Sequence, residues 1–314
     1  VGKSTLAVRF TKDLESRAGG ELAVELIHKG PPIAHPLDEY VLPLTGYRPF
    51  TGHHVVCDRW HWGESVYPHV FGRTTQLDDA VRYHIELFLM SRGAYVVHVS
   101  GPEDRTTRCI EHRGDHLVNV GQVEKMHSLF EDCERMSLNP FTRVDGHAVY
   151  DDALRYMNII ERAGSLGRSA AKLRHFTTYV GSPSPKLLLL GDVRGKSMPT
   201  CDDLRPAFMP YPSTSGHYML TQLTRYLNIT QLRHIGIANA CDVDDAERLW
   251  ETLGRPYTVT LGRHADKSVG KWAGHSVPHP QFVRRFKNSQ GGEYVSDIID
   301  GTPIARMEHA WSSS

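Results

Sequence analysis

Short apolar runs alternate with stretches of helical length along most of this chain, and that alternation limits what it can fold into. In the first half, residues 4–18 read as a helix, 22–28 as a buried strand and 53–57 as a second strand. Residues 77–91 are helical, 94–100 form a third strand that is apolar except for His98, and 122–138 are again helical. The second half repeats the pattern, with strands at 186–190, 234–238, 257–261 and 274–277 and helices at 216–226 and 244–253. Strands separated by helices of this length build βαβ units, so the expected class is α/β with parallel sheets. Between the halves, 161–186 breaks the alternation with Ala163-Gly164-Ser165-Leu166-Gly167 and later Gly181-Ser182-Pro183-Ser184-Pro185. A domain boundary is therefore expected near residue 170, with domains at 1–165 and 186–314 and a linker at 166–185. Two domains suit a chain of 314 residues. Beyond residue 288 the tail is polar and Gly-rich, apart from a last strand at 294–299.

The first helix is preceded by Val1-Gly2-Lys3-Ser4-Thr5, the back half of a phosphate-binding loop of the form GxxxxGK[ST]. Backbone N–H groups at a helix N-terminus attract phosphate, here from Gly2 through Thr5. Lys3 reaches the terminal phosphates, and the Ser4 hydroxyl can ligate Mg²⁺. The expected cofactors are thus ATP and Mg²⁺. The strand and first glycine of the motif lie outside the sequence, so the chain as written is expected to bind ATP poorly.

Composition narrows the classes further. Hydrophobic content of 40% and charged content of 23% fit a globular protein. No apolar run approaches the ~18–20 residues of a membrane span, and no membrane partner is expected. Cys57, Cys109, Cys133, Cys201 and Cys241 are scattered without CxxC spacing. That argues against an iron–sulfur cluster or zinc knuckle and for a reducing, cytoplasmic compartment. Charge is unevenly divided: residues 1–165 carry 18 Lys+Arg against 23 Asp+Glu, and 166–314 carry 18 against 13. The basic half is the better candidate for DNA.

Three further segments of the first half bear on phosphoryl transfer. Val55-Val56-Cys57-Asp58-Arg59 ends a strand with an acid–base pair at the edge where open α/β sheets bind ligands. Asp58 suits a place near the attacking group and Mg²⁺, and Arg59 suits a bidentate clamp on an acceptor phosphate. Trp60, Trp62 and Tyr67 follow, with Glu64 among them, and the three flat rings suit a base. Arg105, Arg108 and Arg113-Gly114-Asp115 come after the third strand, where arginines can close over the transferring group. Each has an ordinary alternative: a structural ion pair for Asp58-Arg59, half-buried packing for the tryptophans, a solvated turn for 113–115.

In this order, residues 1–165 resemble the thymidylate kinase-like deoxynucleoside monophosphate kinases, through the GKST loop, the strand-ending Asp-Arg with its aromatic and Ser/Glu-containing sequel, and the Arg-Gly-Asp lid. The resemblance implies ATP, Mg²⁺ and a pyrimidine deoxynucleotide acceptor. Relatives in bacterial viruses that phosphorylate hydroxymethyl groups on bases already in DNA look similar, which leaves the acceptor open and would make the location that of the host cytoplasm.

The second half carries Gly191-Asp192 after a strand, Arg205-Pro206-Ala207-Phe208 before the Gly216 helix, Ile237-Ala238-Asn239 at a strand end, Leu261-Gly262, and His279-Pro280 leading to Arg284-Arg285. In this order, residues 186–288 resemble the uracil-DNA glycosylase superfamily, particularly its iron–sulfur branch, though the cluster cysteines are missing. The resemblance implies an α/β/α domain in which Phe208 stacks on an extruded base, Asn239 reads its amide edge, Asp192 orients water or stabilises the sugar cation, and His279 bonds the carbonyl oxygen that gains charge. Arg284 and Arg285 would hold DNA phosphates. The same residues also read as core packing for Phe208, a turn cap for Asn239 and a loop histidine for His279. The whole chain is thus expected to be a two-domain phosphotransferase. Its second domain either processes a DNA base or only binds DNA. A P-loop regulatory ATPase or GTPase that transfers nothing to an acceptor is a weaker alternative, because it leaves Asp58-Arg59 and the aromatic segment unexplained.

Overall fold

A computed structural model describes residues 3–17, 23–30, 32–46, 53–102, 106–108, 119–145, 152–191, 205–239, 243–269, 271–287 and 290–307. Helix α1 (Lys3–Arg17) buries Leu6, Ala7 and Phe10, an i, i+1, i+4 stripe, and leads to β1 (Ala23–His28). After the short helix α2 (Pro36–Tyr40), β2 (His53–Asp58) pairs with β1 in parallel, so that His28 and Asp58 end the two strands side by side. Helices α3 (His61–Phe71) and α4 (Asp79–Ser91) follow, then β3 (Val96–Ser100), α5 (Val123–Met136), β4 (Phe141–Asp145) and α6 (Ala153–Ala170). Strands β3 and β4 form a second parallel pair. Leu6 and Phe10 of α1, Val144 of β4 and Tyr156 and Ile159 of α6 form one core, against which Val56 of β2 and Val97 and Val99 of β3 pack.

The second half is built on a five-stranded sheet. Strand β5 (Val180–Gly181) lies antiparallel at one edge, followed in space by β7 (Ile235–Asn239), β6 (Leu187–Gly191), β8 (Tyr257–Leu261) and β9 (His275–Val277), which are mutually parallel. Leu187 through Leu190 are all fully buried, as a parallel strand covered on both faces requires. Leu187 and Leu189 face a core shared with α4, α7 (Ser215–Tyr226), α11 (Pro280–Phe286) and α12 (Gly291–Ile299). Leu188 and Leu190 face the opposite core, with α9 (Val243–Thr252) and α10 (Arg263–Val269). A four-residue helix α8 (Ile229–Leu232) precedes β7. Among the described residues no helix is long and apolar enough to cross a membrane.

Helix α4 ties the halves together. Its Ala80, Val81, Tyr83, Ile85, Leu87, Phe88 and Leu89 share one core with the first face of the five-stranded sheet. The Tyr83 hydroxyl donates to the Leu232 carbonyl at 3.1 Å, and His84 Nε2 donates to the Ala207 carbonyl at 3.0 Å. Nearer the surface, the Tyr211 hydroxyl donates to Asp38 Oδ1 at 2.5 Å and His217 Nε2 bonds Asp78 Oδ2 at 2.6 Å.

Two local expectations differ from the structure. The glycine-bearing stretch at 163–167 does not break the chain; it continues α6 to Ala170, and 171–173 add a 3₁₀ turn. These glycines read as punctuation, but Gly167 serves close packing: a Cβ on Gly93 would stand 2.7 Å from the Leu166 carbonyl oxygen and 2.8 Å from the Gly167 Cα. The segment 294–299 is helical and belongs to α12. Tyr294, Val295 and Ile298 are its buried residues, an i, i+1, i+4 spacing that serves a helix and not a strand.

Gly93 has φ +70° and meets backbone at contact distance, whereas Gly72 has φ +65° and open space around it. Gly72→Ala is expected to cost ~1–2 kcal/mol from backbone conformation alone. Gly93→Ala should add a clash and cost ~1–3 kcal/mol more. Urea unfolding of the two variants measures the difference, and equal losses would contradict the close approach of α6 to this turn.

Candidate functional site

The first cluster stands where α1 begins and where β1 and β2 end. The N–H groups of Lys3, Ser4 and Thr5 lie in the first turn of α1, which leaves them without intrahelical carbonyl partners. Ser4 Oγ donates to Asp58 Oδ2 at 2.6 Å, and His28 Nδ1 donates to the same oxygen at 2.8 Å. Asp58 is only 5% exposed. Burial opposes its charge, but the hydrogen bonds from Ser4 and His28 and the Lys3 and His28 charges prevail and hold the carboxyl below its usual value. Burial, then repulsion from Arg59, lowers the Lys3 ammonium pKa, with Asp58 pulling the other way.

Arg59 has φ +61°, a left-handed conformation uncommon outside glycine. This turns the chain between β2 and α3 and leaves Arg59 exposed beside the buried Asp58. Tyr67, nearly two turns into α3, lies close enough to feel both: burial raises its pKa, and Arg59 and Asp58 shift it in opposite directions. Lys3, Ser4, Asp58, Arg59 and Tyr67 are therefore brought together. Thr5 is exposed on the same first turn of α1.

The rest of the aromatic segment is used differently. Trp60 meets Tyr40 edge-on at 5.3 Å, and its Nε1 is buried with no hydrogen-bond partner among the described residues. Trp62 is 8% exposed, donates from Nε1 to Glu86 Oε1 at 3.1 Å, and packs edge-on against His98 and Phe141. It offers no open face to a base; the aromatic periodicity could not distinguish a wall of the site from the layer behind it. Glu64 is buried and accepts from Thr75 Oγ1 at 2.7 Å, which fixes the segment after α3. Arg108 is exposed beyond β3. Gly2, Arg105 and Arg113 lie outside the described residues.

Behind this cluster is a carboxylate that sequence reasoning missed. Glu86, 1% exposed in α4, accepts from His61 Nε2 at 2.7 Å and Trp62 Nε1 through Oε1. Its Oε2 accepts from Ser137 Oγ, the Leu138 and Asn139 amides and Asn139 Nδ2, at 2.5–3.2 Å. Burial opposes the charge, yet the bonds from His61, Asn139 and Trp62 and the His61 charge hold the group low, at about 2. The signal was a lone acid inside the apolar run Ile85-Glu86-Leu87-Phe88-Leu89. His28 was missed as well, although as the last residue of β1 it stands opposite Asp58 in register.

The second cluster lies at the carboxyl ends of the five-stranded sheet. The strand order turns at β6, with β7 on one side and β8 on the other, and such a switch point opens a crevice. Gly191 ends β6, and a Cβ there would stand 2.2 Å from the Phe208 ring and 3.2 Å from Asn239 Oδ1. The ring therefore lies on the Gly191 backbone beside the Asn239 amide, and only glycine permits that approach. Phe208 has φ +51°. Its segment is pinned on both sides, by Ala207 N donating to the Thr178 carbonyl at 2.7 Å and by His84 donating to the Ala207 carbonyl. Burial, partly offset by that bond, pushes His84 down to about 4 and keeps it neutral. The His279 ring lies 6.5 Å from that of Phe208, while its Nδ1 accepts from Gln281 N at 3.2 Å and caps α11. Phe208, Asn239 and His279 thus converge, with Asp192, outside the described residues, following Gly191 directly in sequence. Arg284 donates to the Ser213 carbonyl, and Arg285 is exposed.

No family model, curated protein or solved structure matches the chain. The two clusters rest on their own geometry.

Replacing Glu86 by Gln puts an NH₂ among donors and is expected to cost ~3–5 kcal/mol at pH 7. Because the folded pKa lies below the ~4.3 of a free glutamate, the stabilisation is complete above about pH 5 and is lost as pH falls toward 2. Urea unfolding across that range should show a flatter pH dependence for Glu86→Gln than for the native protein; parallel curves would contradict a charged Glu86.

Proposed function

We propose that the first cluster transfers the γ-phosphoryl group of ATP to a pyrimidine deoxynucleotide, as a thymidylate kinase-like phosphotransferase on a P-loop sheet spanning residues 1–165. The observation that carries this is the 2.6 Å bond between Ser4 and Asp58 at the mouth of α1, with Lys3 beside them. A hydroxyl and a carboxylate are hard oxygen donors that suit Mg²⁺, which keeps several waters and takes its remaining ligands from phosphates. Bound there, Mg²⁺ would neutralise charge on the β- and γ-phosphates. The N–H groups of α1 and the Lys3 ammonium would hold the phosphate chain. Arg59, turned outward, would bind the acceptor's phosphate, with Tyr67 beside it. The acceptor oxygen forms the new bond to phosphorus as the bond to ADP breaks, and the fixed positive groups stabilise the charge spread over the transferring oxygens.

The second cluster supports a nucleobase site in a glycosylase-like α/β/α domain at residues 186–314. A ring lying against Gly191 beside the Asn239 amide suits stacking on a base and hydrogen bonding to its edge. Its chemistry is read in two ways: base excision using Asp192 and His279, or recognition alone, which would deliver the kinase to hydroxymethylated bases in DNA. The engagement of His279 as a helix cap favours recognition.

In protein that carries the whole GxxxxGK[ST] loop, Lys3→Ala and Asp58→Asn are each expected to lower kcat at least ~100-fold. Arg59→Ala should raise the acceptor KM, and Trp62→Phe should leave it unchanged. Steady-state kinetics check all four; full turnover in the Lys3 and Asp58 variants would refute phosphoryl transfer at this site. For the second cluster, Asp192→Ala and His279→Ala should leave DNA binding intact if the domain only recognises bases. Loss of uracil excision on either change would instead establish the glycosylase.

A further inference from the structure

Helix α11, capped by His279, presents an outward face unlike an ordinary solvated surface. Val283 is buried inward, whereas Phe282, Arg285 and Phe286 stand at i, i+3 and i+4 on one face. Phe282 is 48% exposed and Phe286 72%, and their ring centroids are 5.1 Å apart. Lys287 follows, also exposed, and neither it nor Arg285 forms an ion pair among the described residues. Arg284 is committed inward, to the Ser213 carbonyl at the start of α7. Helix α7 packs along α11 and ends in a second exposed pair, Tyr226 with the Arg225 guanidinium 5.6 Å from its ring centroid. No Asp or Glu occurs between Asp266 and Glu293, while Lys267, Lys271, Arg284, Arg285 and Lys287 fall in that interval.

We propose that the outward face of α11 binds single-stranded nucleic acid, with bases stacking on Phe282 and Phe286 and phosphates held by Arg285 and Lys287. Interleaved rings and unpaired cations are what a single strand requires, because every base has a flat face and every linkage a charge. A duplex keeps its bases stacked on one another and offers these rings only edges. The long acid-free interval and the cationic second half favour a polyanion over a protein surface. The face adjoins the Phe208 platform through His279, so a strand lying on α11 would pass the crevice at β6. This placement rests on the nucleobase reading of that crevice, but binding by the face does not.

The test is fluorescence anisotropy of the full chain with labelled dT12 and with a 12-base-pair duplex. The native protein is expected to prefer the single strand. Phe282→Ala with Phe286→Ala should weaken single-strand binding about 10-fold or more and leave duplex binding unchanged. Replacing both rings by Trp should restore it, and thermal melts should be unaltered because both side chains are exposed. Arg285→Ala with Lys287→Ala should lower the slope of log K against log salt by about 1.4. Unchanged single-strand affinity in the double Phe variant would overturn the proposal. So would rings whose loss alters only self-association in sedimentation or only binding to anionic vesicles. Single-strand binding that survives Asn239→Ala with no base preference in either protein would support the face while counting against the crevice as a base site.

Discussion

A carboxylate buried in the middle of α4 holds together much of what surrounds the candidate phosphoryl-transfer site. Glu86 accepts hydrogen bonds from the start of α3 and from the Ser137–Asn139 segment that leads into β4. A charge this deep is tolerated only because its oxygens are thoroughly bonded. The arrangement leaves α3 little freedom to shift. Since α3 follows Asp58-Arg59 after a single residue, a fixed α3 also fixes the turn that presents them.

The same helix reaches the other cluster. Two residues before Glu86, His84 holds the Ala207 carbonyl and thereby the backbone of Phe208. Both candidate sites therefore lean on opposite sides of one buried helix, whose apolar residues lie in the largest core of the molecule. Rigid elements position reactive groups more accurately than loops do. Here Asp58, Gly191 and Asn239 all come from strand ends, with α4 as the shared brace.

The elements with a clear period were legible in the sequence. The parallel strands β6 and β8 are built on the runs Leu187–Leu190 and Thr258–Leu261, all leucine or β-branched, and α4 and α7 have strong apolar faces. Glycine misled at α6 and at α12, since close helix packing uses the same residue that loops do. The meeting of Ser4 with Asp58 could be anticipated, because one opens a helix and the other closes a strand of the parallel β1–β2 pair. Trp62 could not be told from Trp60 by spacing alone, although one ring lies in the core and the other at its margin. Glu86, His84 and His28 act through partners 24 to 123 positions away, and no local pattern encodes such a pairing.

Phosphoryl transfer at the Ser4–Asp58 site would show itself in its product. ATP labelled at the γ-phosphate, offered side by side to free pyrimidine deoxynucleotides and to DNA bearing hydroxymethylated bases, should leave label on one acceptor in a Mg²⁺-dependent manner. Label on the free nucleotide would identify a monophosphate kinase, and label on DNA a kinase guided by the second domain. Release of inorganic phosphate alone, with neither acceptor labelled, would rule out transfer to an acceptor at this site.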